Sequence, residues 1–241
     1  MKIERLYEDD NLIIVNKPAA VLSIADRFNT NIPSIRGLLQ TDLGQSLFVV
    51  HRIDRETSGV IAFAKNETTH RYMSMLFEKH EIGKFYAGLV LGKPQPESGR
   101  IDLPIMEHPF VKGKMIIAKK GGKDSVTDYR VVESWSRYSL MQWQIHTGRT
   151  HQIRVHMAAI GTPIVCDELY GDGKPFLLSA IKRNYKSGKN ELEERPLLNR
   201  LALHAYRLNF VDQNGKEICA EAPLPKDISA CVNQLTKLQG R

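Results

Sequence analysis

The sequence predicts an α+β fold, and three observations carry that expectation. Apolar runs of strand length recur along the chain, as in Leu12-Ile13-Ile14-Val15, Leu47-Phe48-Val49-Val50 and Val60-Ile61-Ala62-Phe63-Ala64. Apolar residues at helical spacing are confined to a few segments. Strands also follow strands without the regular alternation with helices that marks a βαβ chain.

The opening, Ile3 to Lys17, reads as strand, turn, strand, with Glu8-Asp9-Asp10-Asn11 as the turn and Asn16-Lys17-Pro18 as the stop. Ile35 to Leu43 reads as a short helix. His51 to Gly59 reads as a polar loop between two core strands. From Glu67 to His80 the apolar positions Tyr72, Met73, Leu76 and Phe77 are spaced for a helix, and Phe85 to Leu91 reads as a strand. Gly113 to Lys123 is rich in lysine and glycine. Val126 to Val132 and Ser139 to Ile145 are strand-like. Thr150 to Ile160 is helical, with Ile153, Met157 and Ile160 on one face, Thr147 or Thr150 as its cap, Gly148 easing the turn before it and Gly161 as its stop. Asp172 to Arg200 is polar and resembles an insertion with a helical portion. Ala202 to Phe210 and Ile218 to Ala220 read as closing strands. The expected organisation is a single domain over 1–241 with a charged insertion at about 172–200.

Of the 241 residues, 42% are hydrophobic and 25% charged, a balance that supports a sizeable core. No apolar run reaches membrane-spanning length, and no apolar stretch follows Met1-Lys2 as a secretory signal requires. Cys166, Cys219 and Cys231 are too few and too scattered for a disulfide framework or a zinc site. A cytoplasmic protein without membrane attachment is the expectation, and a monomer. The net charge of +7 favours a polyanionic partner, since neutralising phosphates releases counterions.

Two dense polar segments stand inside this apolar frame. The first is His51-Arg52-Ile53-Asp54-Arg55-Glu56-Thr57-Ser58-Gly59. It reads either as a solvated turn with a salt-bridged aspartate or as a carboxylate held by arginines for work as nucleophile or base. The second is His146-Thr147-Gly148-Arg149-Thr150-His151-Gln152-Ile153-Arg154-Val155-His156. Its histidines do not have metal-pair spacing: His151 and His156 stand five positions apart, about 140° around a helix, whereas ligands on one face stand three or four apart. No metal is expected. His151 and Arg154 do share a face. Phosphate-loop, dinucleotide and nucleophile-elbow motifs are missing. Lys112, Lys114, Lys119, Lys120 and Lys123, set among Gly113, Gly121 and Gly122, read either as a solvated hairpin or as a flexible loop gripping the phosphates of a polyanion.

His51-Arg52-Ile53-Asp54-Arg55-x-Thr57-Ser58-Gly59 with Ala64-Lys65 resembles the signature of the RluA family of pseudouridine synthases. Four stretches match the family in order: Leu12 to Pro18, Lys84-Phe85-Tyr86-Ala87, Thr147 to His156, and Leu201-Ala202-Leu203-His204-Ala205. The resemblance covers nearly the whole chain and implies the catalytic domain without the N-terminal RNA-binding domain that many relatives carry. It implies the pseudouridine synthase fold, a mixed and mostly antiparallel sheet flanked by helices and loops with a central RNA-binding cleft.

The activity implied is conversion of uridine to pseudouridine in ribosomal or transfer RNA stem-loops, with no cofactor. By resemblance Asp54 is the essential carboxylate, attacking C1′ or removing a proton at C2′. Arg154 matches the arginine that pairs with it, and Tyr86 the tyrosine that stacks on the target uracil. Leu203 would line the pocket. Arg52 matches the arginine that fills the gap left by a flipped base, the alternative being a phosphate contact. Arg55, Arg149, His151 and the five lysines are expected RNA contacts. Two rivals remain, a non-catalytic RNA binder on this fold and a glycoside hydrolase using Asp54 and Glu56.

Overall fold

A computed structural model describes residues 3–26, 29, 32–185 and 194–239. The elements run β1 (Glu4–Glu8), β2 (Leu12–Lys17), α1 (Ile35–Leu43), β3 (Phe48–Val49), β4 (Ser58–Ala64), α2 (Glu67–Glu78), β5 (Gly83–Leu91), β6 (Ser98–Asp102), β7 (Ile105–Glu107) and β8 (Met115–Ile117). They continue with β9 (Val126–Ser134), β10 (Tyr138–Ile145), α3 (Gln152–Ala159), a 3-10 turn at Leu178–Ala180, β11 (Leu203–Val211), β12 (Glu217–Glu221) and α4 (Lys226–Gln239). The class is α+β, as the sequence predicts. The chain forms two compact units, one of residues 1–86 and 204–223 and the other of 87–203 and 224–241.

In the first unit β4 is central, and all seven of its residues are buried. β2 pairs antiparallel along its length, from Leu12↔Ala64 to Lys17↔Gly59. The other edge is shared: β3 pairs antiparallel at Phe48↔Ala64, and β11 pairs parallel at His204↔Ser58 and Ala205↔Gly59. β1 and β12 extend the sheet antiparallel on β2 and β11. The result is a mixed, mostly antiparallel sheet. Strand residues alternate between faces with period two. Leu12, Ile14, Val60, Ala62 and Ala64 therefore meet Met73 and Leu76 of α2, whereas Ile13, Val15, Ile61 and Phe63 meet Ile35 and Leu39 of α1. Burial on both faces explains why β2 and β4 read as unbroken apolar runs. The helices begin where side chains satisfy loose N–H groups: Ser34 accepts from Gly37 N at the start of α1, and Asn66 from Thr69 N at the start of α2.

Gly59 is required by position. Its φ is +116°, and a Cβ there would lie 2.1 Å from the Ala205 carbonyl oxygen. Any side chain would force β11 away from β4 at the point where the polar loop ends.

In the second unit β9 pairs antiparallel with both β10 and β6, and β7 with β8 forms a separate hairpin. α3 packs with Trp143 Nε1 donating to Met157 Sδ at 3.1 Å and His156 bonded to Thr127 Oγ1 at 2.9 Å. α4 carries Ile228, Cys231 and Leu235 inward and is clamped by the fork from Arg200 to Asp227, 2.7 Å at both contacts.

Several local expectations are corrected. Neither Thr147 nor Thr150 caps α3; its N-cap is His151, with left-handed φ of 57° and no side-chain cap bond. The Gln152 side chain satisfies the Arg149 N–H instead, at 3.0 Å, while Thr147 Oγ1 accepts from Val126 N and donates to Gln152 Oε1. Gln152 to Met157 are all buried, so this stretch of α3 turns no side to solvent, and Ile160 lies past its end and is exposed. The helical portion of the insertion is, among described residues, the turn at Leu178–Ala180; the segment 186–193 lies outside them. Its flanks are tied by the bridge Phe176↔Leu198. No helix among the described residues is long and apolar enough to cross a membrane.

Candidate active site

The loop joining β3 to β4 carries Asp54, and polar contacts brace it on both sides. Ser23 Oγ donates to the Ile53 carbonyl at 2.7 Å and accepts from the Ile53 N–H at 3.3 Å. Lys17 is wholly buried, and its ammonium donates to the carbonyls of Pro18, Val21 and Arg55 at 3.1, 2.7 and 3.0 Å. A buried ammonium is tolerated only when its donors are taken, and here two go to the segment after β2 and one to Arg55, the residue that follows Asp54. Thr57 N–H closes the turn onto the Asp54 carbonyl at 3.2 Å. Asp54 itself is half-buried.

Tyr86, on β5, packs against the cluster containing Ile53 and Ala205. Burial, together with the negative charge of Asp54, pushes its phenol pKa upward. Tyr86 is therefore a neutral hydroxyl near a carboxylate at physiological pH. Arg52 is exposed on the same loop and makes no hydrogen bond or ion pair with a described residue. Arg55 is also exposed, but its Nε donates to the Ala20 carbonyl at 3.2 Å and stands 3.7 Å from Glu56. Glu56 thus stands beside the Arg55 guanidinium.

His51 is structural. Its Nε2 accepts the Ala62 N–H at 3.0 Å, and its ring stacks on Phe77 with centroids 4.8 Å apart. Burial, with a smaller contribution from Lys84, lowers its pKa from 6.5 to about 3. Between those values the unfolded chain takes up a proton that the folded one refuses. Stability is therefore lost as pH falls from about 6.5 toward 3. His51→Gln keeps an acceptor for Ala62 but cannot titrate. Its thermal midpoint should fall less than the wild-type midpoint between pH 7 and pH 5, and parallel profiles would show that His51 carries no such linkage.

In the second unit Arg154 is buried and forks onto Asp167, Nε to Oδ2 and Nη2 to Oδ1, both at 2.8 Å. Asp167 is 0% exposed at its side chain, and its Oδ1 also accepts from Leu169 N and Tyr170 N. The guanidinium carbon lies 5.0 Å from the centre of the Tyr170 ring. The Tyr170 hydroxyl bonds His151 Nδ1 at 2.9 Å and accepts the Met115 N–H at 2.8 Å. His151 and Arg154 do face one way, as their spacing predicts, and what they face together is Tyr170. Asp167, Tyr170, Lys17 and Ser23 escaped the sequence reading. Asn16-Lys17-Pro18 lies within a stretch that matches the family, which was the one available signal.

The three histidines serve separate partners. His146 Nε2 meets Asp128 at 2.7 Å, His151 meets Tyr170, and His156 Nε2 meets the Leu103 carbonyl at 3.0 Å. Hydrogen bonds from Arg100, with His146 adding to them, hold the Asp128 carboxyl at about 2. Arg149 donates to the Asp124 carbonyl at 3.0 Å. Lys112, Lys119, Lys120 and Lys123 are exposed and Lys114 is half-buried. The hairpin reading describes their backbone: Ala118 N bonds Pro104 O, and Lys123 exchanges both backbone bonds with Ile105. Leu203 is buried at the head of β11.

A carboxyl group whose neighbours are braced on both sides, and a phenol whose proton it helps to retain, are groups of the kind that nucleophilic or acid–base chemistry uses. Residues 11–159 match the family described as RNA pseudouridylate synthase, and the chain belongs to that family. It is 34% identical over 233 residues to the ribosomal large subunit pseudouridine synthase D of Neisseria meningitidis, covering 95% of this chain and 60% of that protein. It is 31% identical over 243 residues to the enzyme of the same name from Zymomonas mobilis, covering 97% and 73%. Among solved structures it resembles human RNA Pseudouridylate Synthase Domain Containing 4, with a TM-score of 0.73, 25% identity and coverage of 96% and 92%. The chain thus spans less than two thirds of the first of these curated relatives.

Proposed function

We propose that this chain is an RNA pseudouridine synthase acting on structured RNA, with ribosomal RNA as the first substrate class, and that Asp54 is its essential carboxylate. The reaction breaks the bond from C1′ to N1, turns the uracil and joins C5 to C1′. The proton lost from C5 is matched by the one gained at N1, so no redox partner or group donor is needed. The observation that carries this reading is the setting of Asp54, whose neighbours on both sides are pinned by Ser23 and Lys17. Fixing the reacting carboxylate in advance is how a site lowers the entropic part of a barrier. Tyr86 keeps its proton and a flat ring for the uracil. Arg154 is the guanidinium assigned to Asp54, with Asp167 holding it in place, and Leu203 an apolar wall. The uridine must leave its stack to react, and Arg52, which is exposed and has no partner among the described residues, fills the space it vacates. Arg55, Arg149 and His151 contribute RNA contacts. The protein works in the cytoplasm as a monomer, on a single domain with an RNA-binding cleft.

Incubation with uridine-containing ribosomal and transfer RNA tests this reading. Pseudouridine is expected; unchanged RNA would point to a binding protein, and free uracil to a hydrolase. The lysines give a second measurement. Replacing Lys119, Lys120 and Lys123 together with glutamine should weaken RNA binding and flatten the plot of log affinity against log salt. Each lost phosphate contact changes that slope by about 0.7–0.9. Single-turnover rates at saturating RNA should change little, and an unaltered salt slope would remove these lysines from the interface.

A further inference from the structure

The hairpin of β7 and β8 ends in an unusual tip, His108-Pro109-Phe110-Val111-Lys112-Gly113-Lys114. Phe110 is 91% exposed and Val111 is 45% exposed. Single exposed apolar residues are common on proteins, so exposure alone assigns no role. What distinguishes this tip is that its backbone is braced to hold the ring outward. His108 Nδ1 accepts from both the Phe110 and Val111 N–H groups at 3.1 Å. His108 N–H donates to the Lys114 carbonyl at 2.8 Å, and Lys114 N–H to the Val111 carbonyl at 3.2 Å. At the base, the Tyr170 hydroxyl takes the Met115 N–H. The ring touches its own protein at the edge of His108, with centroids 6.2 Å apart, and leaves both its faces open. With the backbone beneath it already fixed, less chain entropy is lost on binding.

The chemistry around the ring names the partner. Lys112 is exposed beside it, and Lys119, Lys120 and Lys123 are exposed in the turns that follow β8. Cations that meet phosphates, next to an aromatic face that meets a base, form the platform on which unpaired nucleotides stack. In a duplex the bases present edges, and their faces are already stacked, so a lone ring gains nothing there.

We propose that Phe110 is a stacking platform for an unpaired nucleobase of the RNA substrate, making this hairpin a contact that selects RNA with a loop or bulge beside the target. This rests on the reading of the chain as an RNA enzyme, but it is tested by binding, apart from the chemistry. The probes are a ribosomal stem-loop carrying 2-aminopurine at each loop position in turn and a fully paired duplex of the same length.

Phe110→Ala should weaken stem-loop binding about 5- to 150-fold, the equivalent of about 1–3 kcal/mol. Duplex binding and the salt slope should not change. Phe110→Trp should bind as the wild type does, and Phe110→Leu like the alanine variant. One 2-aminopurine position should be quenched by the wild type and relieved in the alanine variant. Circular dichroism is expected to be unchanged, since the exposed ring makes only an edge contact with His108.

Wild-type binding by Phe110→Ala overturns the proposal, as does full rescue by leucine or an equal loss on the duplex. Binding to anionic phospholipid vesicles that depends on Phe110, with RNA binding unaffected, would reassign the tip to a membrane surface. If the wild type forms pseudouridine while Phe110→Ala binds normally, only the stacking contact falls. If the wild type neither binds nor converts RNA, the functional reading falls with it.

Discussion

Asp54→Asn will fold, bind RNA and form no pseudouridine. The substitution keeps the shape of the side chain and one acceptor oxygen but removes the charge, and with it both the nucleophile and the base. Loss of a positioned acid–base group alone costs about 100- to 10,000-fold, and loss of a nucleophile costs more. The fold should tolerate the change because the contacts that brace the loop come from Ser23 and Lys17 and end on the backbone of Ile53 and Arg55, not on the Asp54 side chain. Asp54→Glu is the informative companion. It restores the charge on an arm one methylene longer, and in a loop fixed this way the carboxylate should arrive misplaced and slow. Turnover by Asp54→Asn near the wild-type rate would overturn the assignment of Asp54.

Arg154 should show the second large effect, in two separable parts. Arg154→Ala leaves Asp167 wholly buried without its guanidinium, and a charge stranded in that way costs about 3–5 kcal/mol of stability. Arg154→Lys keeps the charge but replaces a planar fork with a single ammonium that cannot reproduce both 2.8 Å contacts. Single-turnover rates should fall in the order arginine, lysine, alanine. The double variant Arg154→Met with Asp167→Asn separates stability from chemistry. It removes both charges, and asparagine Oδ1 still accepts the Leu169 and Tyr170 amides that hold the turn. It should therefore melt well above Arg154→Ala yet remain as inactive. If the double variant recovers turnover, Arg154 serves only to neutralise Asp167 and has no part in the reaction.

Much of the frame was legible because it is periodic. The unbroken apolar runs of β2 and β4, the helical spacing of Met73 and Leu76, and the polar break from His51 to Gly59 all stand out against their neighbours. α4 was missed, although Ile228, Cys231 and Leu235 repeat at helical spacing. β6 was missed too. It lies on the outer edge of β9 with Ile101 its one buried residue, so it has no apolar run to betray it. Capping failed at α3, where Thr147 and Thr150 satisfy the local rule. No side chain caps α3; buried Gln152 bonds back to the Arg149 N–H ahead of the helix and fixes the turn that leads into it, a packing role that a local capping rule does not anticipate.

The sequence by itself determined the fold class, the strands and helices of the core and the residues on which the chemistry is expected to centre, above all Asp54, Tyr86 and Arg154. Local chain geometry turns a spacing of two or about 3.6 into a face, and a dense polar motif needs no partner to be visible. Only the tertiary structure decided which groups those residues lean on. It seated Lys17 under the Arg55 carbonyl, joined Ser58 to His204 at 2.9 Å across the parallel pairing of β4 with β11, and gave Arg154 to Asp167. Such partners are single polar residues, near or far along the chain, and no period relates them. They are chosen because burial leaves a donor, an acceptor or a charge that must be satisfied by whatever the packing brings within reach.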